Sequence, residues 1–296
     1  MAVGKFEIAD PLRTQAILAE HQIQAKKSLG QNFLKEPAVI DQIVADAQLT
    51  ANDIVLEIGP GIGSLTEQLA KVAKQVYAFE LDQSLIALLE ENLAPYDNIQ
   101  IIQGDFLEVD LAAFFEQKQL TGQSVKVVAN LPYYITTPIL LKLLNAPVAL
   151  DKLILMMQKE VALRLTAQPG HREYGSLSVV VQTKSQVKIE QTVSHASFVP
   201  QPQVDSAVVS FDLAQLPDFA ITDRSWFDQV VKAIFKQKRK NLWNNLLSFV
   251  GKNPENKAKL ETVFQKLRWQ HQVRAEQLSI EQINTLAQQL ALIFPK

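Results

Sequence analysis

Between residues 54 and 157 the apolar positions follow two alternating periods. Short runs such as Ile54-Val55-Leu56-Glu57-Ile58, Val76-Tyr77-Ala78-Phe79 and Val125 to Asn130 are rich in β-branched and aromatic residues and apolar on both faces, as strands buried inside a parallel sheet require. Between them apolar residues recur every three or four positions, the spacing of one helical face. The pattern predicts strands 54–58, 76–80, 99–103, 125–130 and 152–157, and helices 64–72, 83–93, 110–117 and 137–144. Such alternation predicts an α/β fold with a doubly wound parallel sheet, whose ligands gather at the carboxyl ends of the strands. After a helix at 161–166, Tyr174 to Ser178 leads into Val179-Val180-Val181. Val187–Glu190 and Ala207–Phe211 read as strands flanking the loop Ser197 to Asp205, where two prolines restrict the backbone. Past Leu213 the period is helical only, over 226–250, 261–267 and 280–293. The expected organisation is a lead-in at 1–27, an α/β domain at 28–213, a linker at 214–222 and a helical domain at 223–296.

The loop after the first strand of the alternation carries Gly59-Pro60-Gly61-Ile62-Gly63. Glycines allow positive φ and let a ligand approach the main chain. Ser64 and Glu67 have the spacing of a capping box for the following helix. The dinucleotide fingerprint is G-x-G-x-x-G; here the spacing is G-x-G-x-G, with Glu57 two residues before the first glycine. A carboxylate there is expected to repel a phosphate and to suit a positively charged or zwitterionic ligand. A plain tight turn would leave the same pattern. Glu80 ends the next strand 21 residues beyond Gly59, close to the offset at which an acidic residue meets ribose hydroxyls in nucleotide-binding α/β folds. Gly104-Asp105 and Asn130 fall at the next two strand ends, so Gly59, Glu80, Asp105 and Asn130 should line one rim.

Composition narrows the chemistry. Cysteine is absent and the four histidines are scattered, which excludes disulfides, thiolate metal sites and a cysteine nucleophile and makes a metal cofactor unexpected. No apolar run reaches the roughly 18 residues of a membrane span, and the N-terminus lacks a signal-peptide core, so a cytoplasmic protein is expected; the sequence leaves the oligomeric state open, with a monomer as the default. The net charge of −2 divides into +6 for residues 214–296 and −8 for residues 1–213. This suggests an acidic catalytic domain and a basic docking domain, although a basic surface is often only a solvated face. The segment Lys236-Gln237-Lys238-Arg239-Lys240, expected on a helix with Trp243, spreads its cations too widely for base readout and suits phosphate contact.

Asn130-Leu131-Pro132-Tyr133 suits an exocyclic amine. The lone pair of a nucleobase amine is delocalised into the ring, and hydrogen-bond acceptors that draw its nitrogen toward tetrahedral geometry restore nucleophilicity. The Asn130 side-chain oxygen and the Leu131 carbonyl can accept from such an amine, Pro132 stiffens the turn and Tyr133 offers a ring face. An ordinary strand-end turn has the same composition.

E-I-G-P-G-I-G-S-L-T resembles the first motif of class I S-adenosylmethionine-dependent methyltransferases. Together with Q-N-F-L, the Glu80 strand end, G-D-F, N-L-P-Y-Y-I-T-T-P-I-L, M-M-Q-K-E-V-A-L-R-L, Y-G-S-L-S-V and F-V-P-Q-P-Q-V-D-S-A-V, it resembles, over about residues 26–250, the bacterial small-subunit ribosomal RNA adenine dimethyltransferases. The resemblance implies a methyltransferase sheet with an antiparallel terminal strand, S-adenosylmethionine as cofactor, and conversion of two adjacent adenosines in a 16S rRNA hairpin loop to N6,N6-dimethyladenosine during small-subunit assembly. It further implies that Asn32 and Leu34 cover the cofactor, Gly59 approaches its methionine part, Glu80 binds its ribose, Asp105 its adenine, and Asn130 also contacts the cofactor. Asn130, Leu131 and Tyr133 would form the target-amine site, and Phe198 would stack on the extruded adenine unless it is an aromatic plug between two strands. RNA docking would fall to Lys236, Lys238, Arg239 and Lys240. The alternatives are the related large-subunit rRNA adenine methyltransferases of macrolide resistance and an assembly factor acting mainly by binding. The stretches Met156–Leu165 and Tyr174–Val179 look like the small-subunit enzymes.

Overall fold

The residues whose side chains are apolar on both faces take the centre of a seven-stranded sheet. In a computed structural model, which describes residues 7–294, the chain divides into two compact units: residues up to Ala162 with Val187–Gln215, and Leu163–Gln186 with the chain from Leu216 onward.

The first unit opens with α1 (Pro11–Glu20), the short strand β1 (Phe33–Leu34) and α2 (Pro37–Ala47). There follow β2 (Ile54–Ile58), α3 (Ser64–Ala70), β3 (Gln75–Glu80), α4 (Gln83–Leu93), β4 (Ile99–Gln103), α5 (Leu111–Gln117), β5 (Val125–Asn130), α6 (Thr136–Leu144) and β6 (Lys152–Gln158). The predicted strands and helices fall within two residues of these bounds. Next come α7 (Lys159–Thr166), α8 (Ser176–Gln182), β7 (Gln186–Val193), β8 (Phe198–Val199) and β9 (Ser206–Asp212). The sheet order is β4-β3-β2-β5-β6-β9-β7. Strands β4 to β6 run parallel, and β9 lies antiparallel to β6 from Gln158↔Ser206 to Lys152↔Asp212. All five β2 residues are buried, Glu57 included. The order reverses between β2 and β5, the position at which the loops of a doubly wound sheet part to leave a crevice.

The lead-in is built into this unit. Asp10 caps α1 by accepting from Leu12 and Arg13, the Ile8 amide donates to Glu67 (2.8 Å), and Ile17 is buried with Phe33, Ile62, Leu85 and Leu89. Residues 1–6 of the expected lead-in lie outside the described residues. The expected capping box at Ser64 does not form: Gly63, at φ 94°, takes the N-cap position without a side-chain bond. Glu67 is occupied by Ile8 and by the Tyr96 hydroxyl (3.1 Å), and burial together with Glu67 pushes the Tyr96 phenol up to about 12.

The second unit is helical: α8, α9 (Arg224–Ile234), α10 (Leu242–Val250), α11 (Pro254–Leu267) and α12 (Ile280–Ile293) share a core around Trp226, Phe227, Leu246, Phe264 and Leu286. Tyr174 and Val179 belong to this core, so residues 163–186 belong to the helical unit, where the 28–213 boundary groups them with the sheet. The run Val179-Val180-Val181 is helical because Ser178 caps it, accepting from the Gly175 amide and donating to the Arg164 carbonyl. The expected linker is also held here, Asn284 donating to the carbonyls of Phe219 and Ala220. Among the described residues no helix is long and apolar enough to cross a membrane.

Candidate active site

The rim expected from four strand ends exists as one cleft of about 1050 Å³ in the first unit, lined by Gly59, Glu80, Asp105, Asn130, Leu131 and Tyr133 and by Asn32 and Leu34 from the lead-in side. Its walls are held by backbone bonds that run on past the strands. The Gly59 amide donates to the Phe79 carbonyl (2.9 Å), Gly104 to Glu80 (2.9 Å) and Leu131 to Met156 (3.2 Å). Gly59, Gly61 and Gly63 all have positive φ, and at Gly61 a Cβ would stand 3.2 Å from the Phe33 ring. A larger residue at 61 would meet both backbone strain and a clash.

Glu80 is 5% exposed. One carboxylate oxygen accepts from the Gly61 amide (3.2 Å) and the other from the Asp82 amide (2.7 Å). An ionised carboxylate has about four lone-pair sites, so each oxygen keeps acceptor capacity toward the cleft, enough for a vicinal diol. Burial, only partly opposed by these amides, raises its pKa. Asp105 accepts from the Leu107 amide (2.8 Å) through Oδ1, and this fixes its carboxylate on the next wall.

Glu57 departs from expectation. Burial raises its carboxyl to about 8, with the Thr66 hydroxyl opposing and Glu80 adding repulsion, and Oε2 finds no hydrogen-bond partner. Near neutral pH it is largely protonated, so the expected repulsion of a phosphate by a charged Glu57 does not apply. A cation or ammonium in the cleft would draw it toward ionisation.

Asn130 donates through Nδ2 to the Asn32 carbonyl (3.3 Å). A carbonyl accepts only from the NH₂ group, so this contact settles which way the amide faces and leaves Oδ1 as an acceptor. Pro132 accepts through its carbonyl from Ile135 N (3.2 Å) and Thr136 Oγ1 (3.1 Å). The Tyr133 hydroxyl is bonded to Ser206 Oγ (2.8 Å) and burial raises its pKa, so the side chain is a neutral phenol whose ring is held in place. Among the described residues no cluster of His, Cys, Asp or Glu could hold a metal ion.

Two expected placements are corrected. Phe198 is 1% exposed and packs with Leu34, Val193 and Val208; it does not line the cleft, because β8 pairs with β1 in the register Leu34↔Phe198 and turns the ring into the core. The exposed aromatic at the cleft is Tyr134, 54% exposed and seated against Gly30. The basic segment is not helical. Lys236, Lys238, Arg239 and Lys240 lie in the exposed turn between α9 and α10, because Asn241 caps α10 and Asn245 bonds back to Gln237 N and to the Gln237 and Lys240 carbonyls. Lys238 donates to the Arg172 carbonyl (2.8 Å).

One side-chain network beside the cleft has no signal in the sequence. Asp82 accepts from Lys26 Nζ (2.6 Å) and Gln31 Nε2 (2.8 Å). Although burial pushes it up, Lys26, Ser84 and Gln31 hold it down to about 2. The bonds tie the segment before β1 to the end of β3 and so fix the wall carrying Gly30 to Phe33. Acid and partners stand 51 and 56 residues apart, beyond any local spacing rule.

The sequence model of a family described as ribosomal RNA adenine dimethylase matches residues 22–292. The chain is 48% identical to a ribosomal RNA small subunit methyltransferase A of Bacillus licheniformis, over 96% of this chain and 97% of that one. It is 49% identical to the protein of the same name from Latilactobacillus sakei, over 95% of each. Among solved structures, a dimethyladenosine transferase from Plasmodium falciparum superposes with a TM-score of 0.73 at 26% identity, covering 88% of this chain and 98% of that one. A 23S rRNA methyltransferase superposes with a TM-score of 0.67 at the same identity, covering 88% and 99%. Both carry the mostly parallel sheet found here. The likeness to the small-subunit enzymes, with the methyltransferase cleft at the carboxyl end of the sheet, places this chain in the ribosomal RNA adenine dimethylase family.

Proposed function

We infer that this protein transfers methyl groups from S-adenosylmethionine to N6 of two adjacent adenosines in a hairpin loop near the 3′ end of 16S rRNA, giving N6,N6-dimethyladenosine as the small subunit matures. The observation that carries the reading is the Asn130 amide, whose acceptor is oriented by the Asn32 carbonyl at the fourth strand end of a cleft already lined by Glu80 and Asp105.

The residues fit the cofactor. The free acceptor sites of Glu80 suit ribose hydroxyls, the second oxygen of Asp105 suits an adenine amine, and Gly59 admits the methionine part close to the main chain. Buried Glu57, with its unpartnered Oε2, suits a positive group nearby. Asn32 and Leu34 close the cleft from the lead-in side. When bound, S-adenosylmethionine supplies an electrophilic methyl on a sulfonium, which departs as a neutral thioether.

The chain's own task is then to present the amine. Asn130 Oδ1 and the Leu131 carbonyl accept from the two N6 hydrogens in the first transfer, and one of them from the single remaining N6 hydrogen in the second, localising the nitrogen lone pair, while the Tyr133 ring, held by Ser206, supports the base. No strong base is needed, because the alkylated nitrogen loses its extra proton readily to water. The largest contribution is alignment, for which oriented reactants supply roughly 7–11 kcal/mol. Lys236, Lys238, Arg239 and Lys240, in an exposed turn, serve phosphates of the RNA. Action as a monomer, in the cytoplasm, on an assembling subunit belongs to the same proposal.

The test is methyl transfer from labelled S-adenosylmethionine to unmethylated small subunits and, separately, to unmethylated large-subunit RNA, with mapping of the modified base. Dimethylation of paired adenosines near the 3′ end of 16S rRNA is expected. Label in large-subunit RNA alone would overturn the substrate assignment, and subunit binding without label would make the protein an assembly factor.

A further inference from the structure

A second groove, of about 1270 Å³, shares a wall with the cofactor cleft: Gly30, Gln31, Asn32 and Phe33 line both. This wall is fixed on one side by the Gln31–Asp82 bond and contacts the target-amine residue through the Asn32 carbonyl. Across the groove Val199, Pro200, Gln201 and Gln203 form the facing side, joined to the wall by the antiparallel pair Phe33↔Val199.

The lining has an unusual chemistry for a protein that works on a polyanion. Among mostly apolar neighbours it contains no carboxylate, one cation, Lys27, and five side-chain amides. Those of Gln31 and Asn32 are bonded to Asp82 and to the Gly30 carbonyl, whereas those of Gln24, Gln201 and Gln203 are exposed and engage in no side-chain hydrogen bond among the described residues. Each primary amide offers two donors and an acceptor, the complement of a nucleobase edge, while a phosphate would call for several cations. Unpaired bases of an RNA loop are read in this way, by hydrogen bonds to their edges. The nucleotide next to an extruded base stays joined to it through one phosphate, so its base lies within one nucleotide of the cleft.

We propose that this groove seats the nucleobase adjacent to the adenosine being methylated, with Gln201 and Gln203 bonding its edge. The inference deepens the proposed function and rests on it. It also accounts for action on two neighbouring adenosines: while one occupies the cleft the other is held in register, and the two exchange places between rounds.

The experiment is a binding cycle with a synthetic hairpin of the 16S 3′ end, intact or lacking the base next to the target, in the presence of S-adenosylhomocysteine. Wild type and the double variant Gln201→Ala/Gln203→Ala are compared. Losing two neutral hydrogen bonds should weaken binding of the intact hairpin about 5- to 50-fold. Removal of the base should cost the wild type a similar factor and the double variant almost nothing further, with cofactor-product affinity within about twofold throughout. Losses that multiply in full, or no loss in either arm, overturn the groove assignment, since a merely structural effect of the alanines would not depend on the neighbouring base. A wild-type protein that transfers no methyl to small-subunit RNA overturns the underlying reading and the groove with it.

Discussion

The two regions richest in ionisable side chains, the acidic strand ends and the basic turn, are held in opposite ways. At the strand ends Glu57, Glu80 and Asp105 lie in or against a cleft whose walls are backbone hydrogen bonds, and Glu57 and Glu80 are each no more than 5% exposed. In the turn between α9 and α10, Lys236, Lys238, Arg239 and Lys240 stand in solvent, anchored mainly through the Asn245 side chain. A buried, preorganised carboxylate discriminates, because its geometry is set before a ligand arrives and every misplaced partner costs desolvation. An exposed cation attracts, adds little geometry and is screened by salt. Substitutions in the first region should therefore act steeply and selectively, and those in the second gently and on any RNA.

The sharpest contrast is expected at Glu80. Glu80→Ala removes both acceptors proposed for the cofactor ribose, each a charge-assisted bond of about 1.5–3 kcal/mol, and should weaken S-adenosylmethionine binding by about 10²-fold or more in calorimetry while subunit binding persists. Normal methylation by this variant would remove the rim from the mechanism. Asn130→Ala comes next. If the oriented amide acts on the developing charge of the amine, kcat should fall about 10²- to 10³-fold, as for the loss of one preorganised polar group, and by much more than cofactor affinity falls. Equal losses in both would recast Asn130 as a cofactor ligand only.

How much of this contrast is legible in the sequence follows from what sets each region. The strand ends are dictated locally: the run Ile54 to Ile58, the glycine loop and the offset to Glu80 each depend on residues close in the chain, and the parallel sheet aligns them as predicted. Failures arise where a distant partner decides. Phe198 carries an aromatic–proline motif that suits base stacking, yet its direction is set by pairing with Leu34, 164 residues earlier. The basic segment lies between two helical patterns and reads as their continuation, until Asn241 and Asn245 satisfy the backbone groups that a continuous helix would have bonded itself. Proximity in the chain groups residues 163–186 with the sheet, whereas the burial of Tyr174 beside Phe235 is a tertiary fact. The network of Asp82, Lys26 and Gln31 is invisible for the same reason.

A smaller effect sharpens the comparison from within the rim. With its carboxyl raised to about 8 in the fold against about 4.3 in the unfolded chain, Glu57 makes the folded state bind one more proton than the unfolded state between these values. That contribution is full below the unfolded pKa and is lost as pH rises toward 8, at up to about 1.4 kcal/mol per pH unit. Between pH 5.5 and 7.5 the wild type should lose about 2–3 kcal/mol relative to Glu57→Gln, read from urea midpoints without cofactor. Parallel pH profiles for the two proteins would place a charged, solvated carboxylate at position 57.

The smallest expected effect belongs to the basic turn and fixes the other end of the contrast. Arg239→Ala removes one cation that has no acceptor side chain among the described residues, so the fold should be unaffected and only its attraction for an RNA phosphate should disappear. Counterion release then sets the size: one fewer neutralised phosphate lowers the slope of log affinity against log salt by about 0.7 to 0.9 and weakens binding several-fold at moderate ionic strength. The loss should be the same for small-subunit RNA and for an unrelated hairpin, since phosphate contacts position without specifying sequence. Filter binding of both RNAs across a salt series measures this directly. A selective loss for the small-subunit RNA, with an unchanged salt slope, would mean that Arg239 reads a base or a fold, and the turn would then share the discriminating role that the contrast reserves for the cleft.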